Sequence, residues 1–306
     1  MRIIIVGGTG FVGSRLCHEL VLAGHEAVAL TRDEIRAQSI LGNSIKVIGW
    51  DKLKSKQGAG LLQDVGCVVN LAGESIGNNR WTKTKKEKIL NSRINTTREI
   101  INAVENQILN PKILVNASAV GFYGPCGDDE ITENVQPGDD FLAQVCKAWE
   151  MEALKAEKFG VRVNLVRIGL VLGKGGALER MILPFKFYMG GTIGTGNQWV
   201  SWIHIDDLVQ LIRFVIDTDS VSGPVNAAAP QPVKMREFCH VLGRVMGRPS
   251  WLNVPEFMLR TVLGEMSDML LNGQRVLPEK IIKAGYKFQF PMLGDALEDI
   301  LLRNET

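Results

Sequence analysis

The chain has almost no net charge and no cysteine framework. Its 306 residues carry 35 Lys and Arg against 33 Asp and Glu, a formal +2, so no global field argues for nucleic acid or a membrane surface as a partner. The densest basic run, KTKKEK at 83–88, is short and reads as a solvated helix face. Cys17, Cys67, Cys126, Cys146 and Cys239 are odd in number, contain no CxxC pair and show no ligand-like spacing with the four histidines. That excludes a disulfide frame and a zinc site and suits free thiols in a reducing compartment. There is no apolar run of bilayer length, no internal repeat and no low-complexity segment. The chain starts directly on a strand, so no signal or transit peptide is expected and the expected location is cytoplasmic. The length allows one large α/β domain or one with a smaller lobe.

What is present is concentrated at the start, MRIIIVGGTGFVG. Residues 2–6 are a β-branched run of the kind that forms a strand buried on both faces. Gly7, Gly10 and Gly13 follow at GxxGxxG spacing, and apolar residues then recur at helical intervals from Phe11. Strand, glycine turn and helix in that order are the context of a dinucleotide site. The glycines permit a tight turn and close approach of a pyrophosphate, and the helix N-terminus offers free N–H groups. The cofactor site is expected to include Gly7, Thr9, Gly10, Phe11, Val12 and Gly13.

The second strand, EAVAL at 26–30, ends at Thr31 and Arg32. An acid there would hold a ribose 2′-OH, whereas an arginine suits a 2′-phosphate with its bidentate fork. Thr31 and Arg32 therefore favour NADP over NAD, with Asp33 one step on as the competing acid. IKVI at 45–48 is a third strand, with Trp50 and Asp51 placed to border the adenine. DVGCVVNL at 64–71 is a fourth, and Leu71, Ala72 and Gly73 let the backbone lie against the cofactor. Glu74, Arg80 and Trp81 sit in the loop ESIGNNRW, at a strand C-terminus where α/β sheets bind ligands. Glu74 and Arg80 read either as ligand-binding groups or as a surface ion pair. A helical run over 82–105, a fifth strand KILVNA at 112–117, a helix over 141–159 carrying Lys147 and a sixth strand VRVNLV at 161–166 complete a doubly wound parallel sheet. From Gly169 the pattern breaks up into glycine turns, a short aromatic strand and helices. Asp206 and Asp207 read as the N-cap and first turn of one of these helices. The expected organisation is an α/β Rossmann-type domain over 1–167 and 201–223, with a smaller, mostly helical lobe over 168–200 and 224–306.

GGTGFVG, NLAGE, SAVGFYG with Lys147 downstream, VRIGLVLG, WIHIDDL and GPVNAAAP, in this order, resemble the extended short-chain dehydrogenase/reductases of the nucleotide-sugar epimerase type. NLAGESIGNNRW, GGALERMILPF and GQRVLPEKIIKAGYKFQFP look more narrowly like the atypical YfcH-like group of the NAD(P)-dependent epimerase family, over essentially the whole chain. The resemblance implies a YxxxK pair, in which tyrosine is the general acid/base and lysine lowers its pKa and grips the nicotinamide ribose, plus a serine that polarises the reacting oxygen. Free tyrosine, with a pKa of about 10, needs such help near neutrality. Matching motif to motif, the lysine falls on Lys147, but the tyrosine falls on Ala143, the serine on Ala119 beside Ser118, and the family's active-site asparagine on Arg93.

Two readings follow. In one, an NADP(H)-dependent reductase or epimerase-like enzyme acts on an unidentified small molecule with a different acid/base: Tyr123 is the nearest phenol, Lys147 and Glu74 assist, and Glu74, Arg80 and Arg93 bind substrate. Ser118 then joins the cofactor wall. In the other, the protein binds NADP(H) without turnover, as a regulatory or partner-binding module. His204 is a further candidate acid or a structural histidine. The helices over 82–105 and 141–159 suit either a homodimer seam or a monomer.

Overall fold

The computed structural model describes residues 1–62, 64–77 and 80–303. The sheet-forming half runs β1 Arg2–Val6, α1 Phe11–Leu22, β2 Glu26–Thr31, α2 Glu34–Leu41, β3 Lys46–Gly49, α3 Lys56–Leu61, β4 Val65–Asn70, α4 Lys83–Glu105 and β5 Ile113–Ala119. It continues through a two-residue strand, β6 Glu130–Ile131, then α5 Phe141–Ala153 and β7 Arg162–Ile168. Beyond these come β8 Leu170–Leu172, α6 Gly176–Lys186, β9 Gly191–Ile193, β10 Trp199–Val200, β11 Trp202–His204, α7 Ile205–Asp217 and β12 Gly223–Ala227. The last segment holds β13 Val233–Lys234, α8 Met235–Met246, β14 Leu252–Val254, α9 Glu256–Leu263, α10 Asp268–Leu271, β15 Arg275–Val276, α11 Glu279–Lys283 and α12 Leu293–Leu302.

Seven strands form one parallel sheet in the order β12-β7-β5-β4-β1-β2-β3. Ile3, Ile4 and Ile5 of its central strand are fully buried, as a strand covered by helices on both faces requires. On one face Ile3 and Ile5 pack with Leu16 and Leu20 of α1 and Leu208, Leu211 and Ile212 of α7. On the other, Ile4 and Val6 pack with Ile100, Ile101 and Val104 of α4. Chain order reverses between β1 and β4, so a crevice opens at their C-terminal ends, where this architecture binds ligands.

The sheet reaches past the expected boundary at residue 223. Pro224, Val225, Asn226 and Ala227 pair in register with Leu165, Val166, Arg167 and Ile168 of β7, so β12 belongs to the Rossmann-type body and the lobe resumes after it. Trp202–His204 instead pairs with Leu170–Leu172, outside the large sheet. The lobe has its own core around Trp202, Phe238, Leu242, Phe185 and Leu297.

Candidate functional site

Gly7 has φ +86, and a Cβ there would lie 3.0 Å from the Leu71 carbonyl carbon and 3.1 Å from the Ala72 nitrogen. A Cβ on Gly13 would fall 2.1 Å from the Gly7 oxygen, so only glycine lets α1 sit this close to β1. The helix has Gly10 as N-cap, no side-chain cap and no acidic residue in its first turn. Its first internal backbone bond runs from Ser14 N–H to Gly10 O, leaving the N–H groups of Phe11, Val12 and Gly13 as the open donors of an anion site. The ring of Phe11 is pressed against Gly173, Gly175 and Gly176, where a Cβ would come within 2.9 to 3.2 Å of it. The lobe thereby closes over the first turn of α1.

Beside this turn lies a cavity of about 730 Å³ lined by Val6, Gly7, Gly8 and Thr9 from the β1 end and by Ala29, Leu30, Thr31 and Arg32 from the β2 end. Trp50 and the turn Ala72-Gly73-Glu74 also line it. Gly10, Phe11, Val12, Gly13, Asp51 and Leu71 do not. Asp51 is exposed and turned to Lys52 at 2.9 Å, which holds its carboxyl below the usual range. Leu71 packs into the core, with only its backbone facing Gly7. Trp50 donates its indole N–H to Glu99 at 2.6 Å. Arg32 is exposed at the cavity edge and makes no hydrogen bond or ion pair among the described residues. Asp33, the competing acid, accepts from Arg36 N–H at 3.0 Å as the N-cap of α2.

The fourth wall was not read from the sequence. Thr84, Glu87, Lys88, Asn91, Ser92, Asn95, Thr96 and Glu99 line the cavity from one stripe of α4. Their spacing of three and four is a polar helical period, and that signal could have found them.

Asn78 and Asn79 of the loop ESIGNNRW lie outside the described residues. Of the two readings of Glu74 and Arg80, the surface ion pair between them is not formed among the described residues. Glu74 instead binds Lys85 at 2.6 Å, which holds its carboxyl below the usual range, and its backbone N–H donates to the Ser92 hydroxyl. Arg80 reaches the lobe and lies against Gly264. Arg180 of α6 donates to the Gly77 carbonyl. Arg93 is half-buried, with Nη1 donating to Glu74 O at 3.1 Å and Ile89 O at 3.0 Å, and its guanidinium is stacked over Trp149 at 5.1 Å. Burial pushes its pKa down from the ordinary 12.5.

Three expected site residues are placed elsewhere. Tyr123 is 2% exposed. Its hydroxyl donates to Asn226 Oδ1 at 2.6 Å and accepts from Arg167 Nη1 at 2.9 Å. Burial pushes its pKa up to about 12, which makes it a weaker acid near neutrality than a free phenol. Ser118 is buried and donates to Glu150 Oε1 at 2.7 Å, so it serves a buried carboxylate and does not line the cavity. Lys147 lies on the solvent arc of α5 with Gln144 and Met151, does not line the cavity and has no partner among the described residues. The reason is helical phase: Ala143, Cys146 and Glu150 take the inward arc, and one residue past Cys146 the helix has turned about 100° toward water. Cys146 is the residue beside Ser118 and Arg93, and burial raises its thiol to about 11.

Glu150 itself binds Arg167 through two parallel bonds, Nε to Oε1 and Nη2 to Oε2, both 2.9 Å. With Ser118, Tyr123, Asn226 and Glu133, this pair ties β5, α5, β7 and β12 together. His204 is also structural. Its Nδ1 accepts from Asp206 N–H at 3.1 Å as the N-cap of α7, the place expected for Asp206.

A model of the NAD dependent epimerase/dehydratase family matches residues 3–228, and a domain of unknown function, DUF1731, matches residues 254–300. The chain is 42% identical over 310 residues to the epimerase family protein YfhF of Bacillus subtilis, covering 100% of both. It is 42% identical over 304 residues to the chloroplastic epimerase family protein SDR39U1 homolog of Arabidopsis thaliana, covering 98% of this chain and 87% of that one. The crystal structure of the human epimerase family protein SDR39U1 (isoform2) with NADPH matches with a TM-score of 0.89 and 34% identity, over 99% of this chain and 100% of that one. With its glycine turn, its seven-stranded parallel sheet and its C-terminal lobe, the chain belongs to the NAD-dependent epimerase/dehydratase family.

Proposed function

We propose that the protein binds NADP(H) and is an oxidoreductase or epimerase-like enzyme acting on a small molecule. The observation that carries the cofactor choice is the division of labour after β2. Asp33 is committed to the cap of α2, while Arg32 stands unpaired among the described residues at the cavity edge. A guanidinium in that place matches a 2′-phosphate, and the acid that would match a free ribose hydroxyl is occupied.

The rest of the cavity fits a dinucleotide. The space kept by Gly7 and Gly13 would be filled by a Cβ, the first turn of α1 offers three open N–H groups, and Ala72 and Gly73 form a low wall. The human relative crystallised with NADPH supports the same choice. When bound, the nicotinamide would supply or accept a hydride. This chain's own residues would bind the phosphates at the first turn of α1 and at Arg32, border the base with Trp50, and exclude water with Phe11 under the 173–176 loop.

Calorimetric titration of NADPH and NADH tests the reading. Arg32→Ala is expected to weaken NADPH by about tenfold or more, the scale of one charge-assisted bond, and NADH by less than about twofold. Equal losses for the two cofactors would show that the 2′-phosphate is read elsewhere.

One set of observations favours a second reading, cofactor binding without turnover. Ala119 and Ala143 offer no proton, Tyr123 is locked in a buried network and Lys147 points to water. A substrate screen following NADPH absorbance separates the two: turnover with any small molecule supports the enzyme, and NADPH binding with a silent screen supports the module.

A further inference from the structure

Arg93 is held by one edge and open on the other. Its Nη1 is fixed by the carbonyls of Glu74 and Ile89, and its plane lies over the Trp149 ring. Gly73 keeps the room for it, because a Cβ there would fall 2.9 Å from Cζ. The opposite edge, formed by Nε and Nη2, meets no acceptor among the described residues. Neither nitrogen is among the fully buried polar atoms that lack a partner, so each keeps some exposure to solvent within a half-buried side chain.

The molecule shows what fills such an edge. On Arg167 the same two nitrogens receive the two oxygens of Glu150 at 2.9 Å each. Parallel Nε–H and Nη2–H donors match the spacing of a carboxylate's oxygens, and a guanidinium already ordered by other bonds loses little freedom when it takes one. The nearest protein carboxylate, Glu74, is engaged by Lys85. Arg93 also adjoins Gly73 and Glu74, which line the dinucleotide cavity.

We propose that the Nε–Nη2 edge of Arg93 is a substrate-binding element that takes a carboxylate, so that the small molecule handled here is a carboxylic acid. This rests on the reading of the crevice as an NADP(H)-dependent site and adds the substrate class to it. The carboxylate would anchor the substrate beside the cavity wall at Gly73.

The test is a titration of the full chain, with and without saturating NADPH, using acetate, 2-oxobutanoate and benzoate, the amide of each, and methyl phosphate. Ligand-observed NMR or calorimetry supplies the dissociation constants. At least one carboxylate is expected to bind about tenfold more tightly than its own amide, as a charge-assisted bidentate contact implies. Arg93→Gln is expected to remove that preference, and Arg93→Lys, with charge but no fork, to restore only part of it. A set in which no carboxylate outbinds its amide, a preference that survives in Arg93→Gln, or tighter binding of methyl phosphate than of every carboxylate would overturn the proposal. The carboxylate comparison on the unaltered chain needs no variant to fold. Failure to bind NADPH would sink the functional reading alone, because the preference is also read without cofactor.

Discussion

Tyr123, just past β5, and Arg93, within α4, are both polar groups enclosed by the fold, and they differ in what their protein partners leave over. The Tyr123 hydroxyl spends its proton on Asn226 and a lone pair on Arg167, and burial raises its pKa to about 12. A group so satisfied stabilises the fold and is a poor acid near pH 7. Tyr123→Phe is therefore expected to cost about 1–3 kcal/mol, since Arg167 Nη1 and Asn226 Oδ1 each lose a buried partner. Urea unfolding reads this directly. NADPH affinity and the pH profile of any turnover should stay as in the parent. A variant of parent stability that no longer turned over substrate would restore Tyr123 to the chemistry. Arg93 is the converse case, ordered on one edge and available on the other; the family motif put its position forward, but not which edge of it is left free. Its meaning depends on Gly73 and Trp149, which are brought beside it only by folding.

At the scale of elements, what could be read in the sequence was whatever depends on local period. The strand, glycine turn and helix at residues 2–22 were legible because each requires its own residue types in adjacent positions, and the doubly wound sheet followed from repeating that alternation. The phase of α5 was not legible. The spacing of a family motif put Lys147 forward, whereas its orientation is set by which arc of the helix meets Glu150's partner Arg167, 17 residues away on β7. The start of α7 was displaced for a similar reason: the chain stays extended through His204, at φ −67 and ψ 142, so that its imidazole and not the Asp206 carboxylate becomes the cap. This cap is pH-dependent. Nδ1 accepts the Asp206 N–H only when unprotonated, and burial holds the His204 pKa below the ordinary 6.5, outweighing the pull of Asp206, Asp299 and Asp207. The unfolded chain takes the proton more readily than the folded one, so the contribution of His204 is complete above about pH 6.5 and is lost progressively as pH falls from there to the lower pKa of the folded state. Melting temperature is expected to fall more steeply between pH 7 and 5 in the parent than in His204→Asn, which keeps a capping oxygen. Parallel curves would remove His204 from the acid response.

At the scale of the whole molecule, the sheet body and the lobe are joined by polar anchors and by apolar contacts, Ile281 and Tyr286 packing into the core beside α7 and Phe11 lying against the 173–176 loop. The outer face of α4 turns Thr84 through Glu99 toward the cavity, and its apolar residues Ile89, Ile100 and Ile101 are buried. Among the described residues the large exposed apolar side chains cluster in the lobe, as at Trp251, Phe257 and Val262, and no helix is long and apolar enough to cross a membrane. The principal anchor of the C-terminal segment is Asp207. Its carboxylate accepts the backbone N–H groups of Gln289 and Phe290 at 2.7 and 2.8 Å, and the Tyr286 hydroxyl binds the Asp207 carbonyl at 2.8 Å. Phe290 leads into α12, whose Leu293, Ala296 and Leu297 complete the lobe core. Asp207→Ala strands one buried and one part-buried N–H donor and is expected to cost about 2 kcal/mol or more. If body and lobe are separate cooperative units, hydrogen exchange in the variant should rise over 279–302 and remain slow in β1, β4 and β5. NADPH affinity should fall only as far as the 173–176 loop loosens its hold on Phe11, which makes it a smaller change than Arg32→Ala produces. Exchange that rose equally across the seven strands would mean that body and lobe unfold as one, and that the 173–176 loop cannot release Phe11 without losing the sheet that carries the glycine turn.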